Sequence, residues 1–106
     1  MSNGESPMIK YLSSNEEIER DISKMDGGWE LKEGKIVKSF RFPSFMKAIE
    51  FVNEVAKISE KMNHHPIITI NWTTVKLSLK SFDVNAITQR DFSLAKVIEK
   101  TLANSS

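Results

Sequence analysis

The stretch SFMKAIEFVNEVAKISEKMNHHPIITINWTTVKLSLKS, residues 44–81, contains the patterns that decide the fold. Ser44 is a favourable helix N-cap, and the apolar residues after it repeat with the 3.6-residue period of a helix that runs to about Asn63. The apolar positions are Phe45, Ala48, Ile49, Phe51, Val52, Val55, Ala56, Ile58 and Met62. Because this stripe is wide, it can cover a sheet and still leave an edge for another subunit.

Pro66 ends the helical pattern, because the residue before a proline is driven out of the α region. Two strands are predicted after it, over residues 67–72 and 74–81. The second strand alternates apolar with polar residues, which is the pattern of a strand with one buried face. Its apolar residues are Val75, Leu77 and Leu79.

The flanking sequence predicts three further segments. Ser14 and Glu17 form a capping-box pattern that starts a short helix, and residues 29–31 and 36–42 read as two strands joined by a turn. Thr88 and Asp91 resemble a second capping box, which starts a closing helix. The predicted order is therefore helix-β-β-helix-β-β-helix.

That order predicts a two-layer α+β domain, with a four-stranded antiparallel sheet and helices packed on one face. A sheet of four strands keeps two edges. Pairing of an edge with a second copy of the chain would extend the sheet, so a homo-oligomer is expected.

Length and composition exclude several classes of protein. A chain of 106 residues has room for one domain, predicted at 12–103 behind a polar lead-in at 1–11. Its net charge of +1 argues against nucleic acid or a membrane as the main partner. The absence of cysteine excludes disulfides and thiolate chemistry. With no spanning apolar run and no signal-peptide core, the chain is predicted to be cytoplasmic. The basic residues of the first strand pair are expected to form a solvated face: Lys32, Lys35, Lys38 and Arg41.

The two histidines of the chain, His64 and His65, stand side by side before Pro66, where the long helix ends. The carbonyl end of a helix favours the protonated imidazolium, which suits a proton donor. Glu60 lies four residues before His64, one helical turn back, where a carboxylate can orient an imidazole. Since Pro66 holds His65 extended, the two rings can point in different directions.

Simpler roles are available to the same residues. A histidine in the last turn of a helix is often only a favourable charge for the helix dipole, and Glu60 can be a solvated charge. Trp72 shares the parity of Ile68 and Ile70, which predicts a core position rather than a stacking wall for a ligand. Asp91 is explained as a helix-start charge. No metal site is expected, because the histidines and carboxylates lack a recognisable ligand spacing.

Taken together, the residues resemble the pterin-4a-carbinolamine dehydratase family over about residues 12–102. The resemblance rests on Glu60, on His64-His65-Pro66, and on the later Trp72 and Asp91. Flanking matches are Gly28-Trp29, Phe40, Phe42, Phe45, Ala48, Phe51, Arg90 and Leu94-Ala95.

The resemblance implies an α+β fold of this order that assembles into homodimers and homotetramers. It implies loss of water from 4a-hydroxytetrahydropterin to give the quinonoid dihydropterin, with no metal or organic cofactor. By the same resemblance, His64 is the main acid and base with Glu60 orienting it, and Asp91 belongs to the catalytic set. His65 shares the catalysis and holds the pterin beside Trp72 and Phe82.

One position departs from the family pattern. Where the family has a third histidine, this chain has Phe82, which cannot donate or accept a proton. Three outcomes are open: His64 acts alone at a reduced rate, Asp83 or Asp91 substitutes, or dehydration is lost. In the last case, the chain would be a non-catalytic module that binds a pterin or docks a protein partner.

Overall fold

The computed structural model describes residues 15–25 and 27–104. Three helices and four strands follow one another in the predicted order. They are α1 (Asn15–Ser23), β1 (Glu30–Lys32), β2 (Lys35–Arg41), α2 (Phe45–Met62), β3 (Ile67–Asn71), β4 (Thr74–Leu79) and α3 (Gln89–Asn104). The lead-in at 1–11 and Ser14 of the first predicted capping box lie outside the described residues.

The four strands form one sheet in the order β1-β2-β4-β3, and each neighbouring pair is antiparallel. β2 and β4 lie at the centre, where Ile36 pairs with Leu79 and Phe40 pairs with Val75. Paired residues share a face, so these apolar side chains all point the same way. The predicted α+β class and the antiparallel sheet are confirmed.

The core lies between that face of the sheet and the helices. Most of its buried residues come from β2 and β4 on one side and from the three helices on the other. The buried apolar residues of the helices are Ile18, Ala48, Phe51, Val55, Phe92, Leu94, Ala95 and Ile98. Burial of these side chains follows the helical period in each segment, because each helix presents one apolar stripe to the sheet.

Helix α2 begins and ends as its sequence predicts. The Ser44 hydroxyl accepts a hydrogen bond from the Lys47 backbone N–H at 3.1 Å. Asn63 is the C-cap, with a left-handed φ of 53°, and its N–H reaches the carbonyls of Ser59 and Glu60. Asparagine tolerates this conformation better than most residues. The helix therefore ends at Met62, and only the cap residue Asn63 separates it from His64.

Two predictions about individual side chains are wrong. Trp72 is 74% exposed rather than in the core, because it occupies the turn between β3 and β4 with a positive φ of 53°. Lys38 does not belong to a solvated face. It shares the face of Ile36 and Phe40, and its ammonium lies 2.5 Å from the Glu99 carboxylate of α3.

Glu99 ties the first strand pair to the last helix. Besides the Lys38 ammonium, its carboxylate accepts a hydrogen bond from the indole N–H of Trp29 at 2.9 Å. The Lys38 ammonium also lies 4.6 Å from the centroid of the Phe40 ring. Since the side chains of Lys38 and Glu99 are only 18% and 24% exposed, this ion pair is partly screened from water.

Within residues 15–25 and 27–104, none of the helices is long and apolar enough to cross a lipid bilayer.

Candidate active site

The left-handed C-cap of α2 determines where the two histidines go. After Asn63 the chain leaves the helix, although the His64 backbone N–H still reaches the Ser59 carbonyl at 3.0 Å. The His64 side chain turns inward and is 8% exposed. His65 follows directly before Pro66, and its side chain is 54% exposed. The two rings therefore occupy different environments, as the Pro66 argument predicts.

The His64 ring meets the start of α3. Its Nε2 lies 2.7 Å from Oδ1 of Asp91, a carboxylate that is fully buried. The other carboxylate oxygen, Oδ2, accepts the Thr88 backbone N–H at 3.0 Å and the Ser81 hydroxyl at 2.9 Å. Asp91 thus closes the predicted capping box and binds the imidazole at the same time.

The Ser81 and Thr88 hydroxyls extend this network. Their oxygens are 2.7 Å apart, and the Thr88 oxygen accepts the Arg90 backbone N–H at 3.2 Å. Both residues are fully buried. Ser81 is held in place by backbone pairing with Ala86. Every polar atom named here has a partner, as buried polar groups require.

Glu60 bonds the other histidine. Its Oε2 lies 2.5 Å from Nε2 of His65, and the Glu60 side chain is 78% exposed. The prediction that Glu60 orients His64 is therefore wrong. It assumed that the helix continued through His64, whereas the left-handed Asn63 ends the four-residue spacing and turns the His64 ring towards α3.

An ion pair lies beside the network. Arg90 Nη2 donates to Oδ1 of Asp83 at 2.8 Å. That hydrogen bond is the main reason why the pKa of Asp83 is lowered from its ordinary 3.8, and the positive charge of Arg90 adds to the effect. Asp83 therefore stays ionised across the neutral range. It is a poor substitute for a missing proton-transferring histidine.

The sequence of residues 12–101 matches the protein-family model described as "Pterin 4 alpha carbinolamine dehydratase". The chain belongs to the pterin-4a-carbinolamine dehydratase family. A relative from Roseiflexus sp. (strain RS-1) is 42% identical over 84% of this chain and 95% of its own. A relative from Prochlorococcus marinus is 40% identical over 87% of this chain and 95% of its own. Both relatives are described as "Putative pterin-4-alpha-carbinolamine dehydratase".

Solved structures agree with the family assignment. A protein described as a transcriptional coactivator/pterin dehydratase from Brucella melitensis has a TM-score of 0.75 at 27% identity, covering 83% of this chain and 95% of that one. A pterin dehydratase-like protein, described as a RuBisCO assembly factor in the alpha-carboxysome, has a TM-score of 0.58 at 25% identity, covering 74% and 90%.

Within the dehydratase family pattern, this structure brings together only part of the predicted set. His64 and Asp91 are in direct contact, and Phe82 follows Ser81 of the same network with a side chain that is 53% exposed. Trp72 lies at the opposite end of the β3–β4 hairpin. At about 3.3 Å per residue, the six residue steps along β3 from Pro66 to Trp72 span roughly 20 Å. A role for Trp72 in ligand binding stays a prediction.

Ser81 is the residue of this site that sequence reasoning missed. Thr88 was identified only as a cap. The sequence did contain one indication of a larger network, which was the Thr88–Asp91 capping box. A carboxylate in a capping box has a second oxygen that can bind a further partner. No group of metal-ligating side chains occurs in the described ranges 15–25 and 27–104.

Two of the surface cavities formed by residues 15–25 and 27–104 lie apart from the histidines. One of about 730 Å³ lies between α2 and the end of α3, over Phe42, Phe51 and Leu102. The other, of about 270 Å³, lies beside β1 and β2, next to Gly28 and Lys76. His64 and His65 line neither cavity. The evidence for a ligand site is therefore the contacts that the two histidines make with Asp91 and Glu60.

Proposed function

We propose that this chain catalyses the dehydration of 4a-hydroxytetrahydropterin to the quinonoid dihydropterin. The observation that carries the proposal is the buried His64–Asp91 pair within a dehydratase-family fold. The reaction needs one group to protonate the hydroxyl as its bond to the ring carbon breaks. It also needs a base to take the proton released from a ring nitrogen. Water leaves, and no electrons are gained or lost.

His64 is suited to the proton transfers. An imidazole both gives and takes protons near neutral pH, and the buried Asp91 carboxylate on Nε2 orients the ring. Positioned proton transfer of this kind typically contributes about 10²–10⁴-fold to a rate. Asp91 supports His64 from behind and is not expected to touch the pterin.

His65 and Phe82 are assigned to holding the pterin. The exposed His65 ring is oriented by Glu60, so it can hydrogen-bond a ligand beside His64. Phe82 offers an exposed aromatic face, with the Lys80 ammonium 5.8 Å from its ring centroid. Since phenylalanine transfers no proton, His64 carries the proton transfers without the third histidine, and a reduced rate is expected.

The test compares rates of dihydropterin formation from 4a-hydroxytetrahydropterin. Wild type should exceed buffer, and His64→Ala should lose about 10²-fold or more of the enzymatic rate. Lys57→Ala, on the exposed outer face of α2, is the control and should match wild type. A wild-type rate equal to that of buffer would remove the proposal.

A non-catalytic role is the second candidate. It is favoured by Phe82 and by the solved relative described as a RuBisCO assembly factor. Exposed apolar residues at the start of α2, Phe45 and Met46, provide a surface for a protein partner. Copurification of a stoichiometric protein partner, with no pterin-dependent change in tryptophan fluorescence, would select this role over the enzyme.

A homodimer or homotetramer is proposed as the working form. β3 is an edge strand, and its Ile67 and Ile70 are each 42% exposed. An exposed apolar edge is a template for pairing with a second copy. Light scattering on the eluting protein would give the mass. The cytoplasmic location stays a prediction from the sequence.

A further inference from the structure

We infer that the Thr88–Asp91 capping box and Ser81 fix His64 in a single tautomer, with the proton on Nε2. Nδ1 is then the nitrogen that exchanges protons with a ligand. Ser81 and Thr88 are positioning residues on this inference, which rests on the proposed function only for the identity of the ligand.

Two backbone N–H groups in the network have a fixed hydrogen-bond direction. The Thr88 backbone N–H can only donate, and it points at Oδ2 of Asp91. The Arg90 backbone N–H likewise donates to the Thr88 hydroxyl oxygen. The Ser81 hydroxyl gives its single proton to Oδ2, so in its contact with Thr88 it accepts. Each proton in the chain from Arg90 to Asp91 is thereby assigned.

This assignment makes Oδ2 of Asp91 an acceptor only. Oδ2 has two donors, and Oδ1 faces Nε2 of His64 at 2.7 Å. An ionised carboxylate accepts on both oxygens, so Nε2 must supply the proton. Among the described residues, every hydrogen bond found for the His64 ring is made by Nε2. Nδ1 is therefore the nitrogen available to a ligand.

The network also ends without an exit for a proton. It terminates at the Arg90 backbone N–H, which cannot accept one. A proton taken up by His64 cannot leave through Asp91, Ser81 and Thr88. It must leave from Nδ1, to the ligand or to water. Asp91 thus orients the His64 ring and does not pass protons on to Ser81 and Thr88.

The experiment reads the tautomer directly, by nitrogen NMR of protein labelled with ¹⁵N-histidine. Only two histidines are present, and His65→Gln assigns the signals. In neutral His64, Nε2 should show the shift of a protonated ring nitrogen, and Nδ1 that of an unprotonated one. A wild-type spectrum with the proton of His64 on Nδ1 overturns the inference, and this measurement needs no pterin.

Asp91→Asn gives the sharper result. The Thr88 N–H and the Ser81 hydroxyl should hold the amide oxygen at the Oδ2 position, because both donate there. The amide nitrogen would then face His64 and donate to Nε2. The proton should move to Nδ1, and dehydration should fall by tenfold or more, because the reacting nitrogen is blocked. Retention of the proton on Nε2 in this variant contradicts the inference.

Ser81→Ala tests the contribution of the hydroxyl. With one donor to Oδ2 removed, the Asp91 carboxylate is held less firmly against Nε2 of His64, so the second tautomer should become detectable, at about one part in ten or more. Ser78→Ala, a buried serine of β4, is the matched control and should leave one tautomer. A Ser81→Ala spectrum identical to wild type, even with lowered stability, would show that Ser81 serves packing alone. Because none of these spectra depends on turnover, failure of the dehydratase proposal would be seen separately.

Discussion

His64 and Asp91 stand 27 positions apart and are joined by a 2.7 Å hydrogen bond inside the protein. The contact links the C-terminal end of α2 to the first turn of α3. One carboxylate thereby closes a capping box with Oδ2 and holds an imidazole with Oδ1. The start of a helix and the orientation of the candidate catalytic base thus depend on the same side chain.

Glu60→Gln should cost little activity, less than about threefold. Glu60 bonds the exposed His65, and exposed ion pairs contribute only about 0–1 kcal/mol. Asp91→Asn should cost more than tenfold, because its amide nitrogen would donate to Nε2 and move the His64 proton to Nδ1. Dehydration rates of the two variants, measured side by side, check this order. A larger loss for Glu60→Gln would restore Glu60 as the partner of His64.

Phe82→His should raise the dehydration rate, because an imidazole restores a second group able to move protons at that position. Phe82 is already 53% exposed, so the change should cost little stability. Phe82→Leu is the control, since it changes the ring without adding a titratable group. Equal rates for the two variants would show that this side chain does not face the reacting atoms.

Arg90→Gln should raise the pKa of Asp83 towards its ordinary 3.8, because the hydrogen bond and the charge that lower it are removed. A carboxyl group whose pKa is lower in the folded than in the unfolded state stabilises the fold at pH values above its unfolded-state pKa. This stabilisation is lost as the pH falls through the folded value. An NMR titration of the Asp83 carboxyl carbon measures the change. The control Arg41→Gln, on β2, should leave the pKa of Asp83 as it is in wild type. If Arg90→Gln also leaves the pKa of Asp83 unchanged, Arg90 is not the cause of its lowering.

Lys38→Met should lower the free energy of unfolding by about 1–3 kcal/mol, because the partly buried Glu99 carboxylate loses its cation and keeps only the Trp29 indole. Lys57→Met should cost under about 0.5 kcal/mol, since its pair with Glu54 is exposed. Urea unfolding with matched slopes measures both. Equal losses would mean that the Lys38–Glu99 pair contributes no more than a surface pair.

Gly27→Ala should destabilise the protein more than Gly28→Ala. Both glycines have positive φ, 108° and 79°, so both variants incur the backbone strain of about 1–2 kcal/mol. At Gly27 the new Cβ would also lie 2.6 Å from Oε2 of Glu99, whereas at Gly28 it meets no atom within 4 Å. Thermal unfolding of the two variants compares them. Equal midpoints would show that the Glu99 side chain moves aside freely.

The helices and strands were predictable because each has a local cause. Ser44 caps α2, Pro66 separates α2 from β3, and alternation along β4 places Leu77 and Leu79 on one face. Two of the three wrong predictions, those for Trp72 and for the partner of Glu60, arose where a single residue changes the direction of the chain. Trp72 takes a turn conformation and loses strand parity, and Asn63 ends the helical spacing on which the Glu60–His64 pairing relied.

The amino-acid sequence alone determined the order of the elements, the sheet class and the family pattern, because hydrophobic period, caps and prolines act within a few residues. Only the tertiary structure decided which carboxylate each histidine meets and that Lys38 bonds Glu99. Those partners come from segments 5, 27 and 61 positions apart, and their meeting depends on where a helix stops and which way a side chain then points.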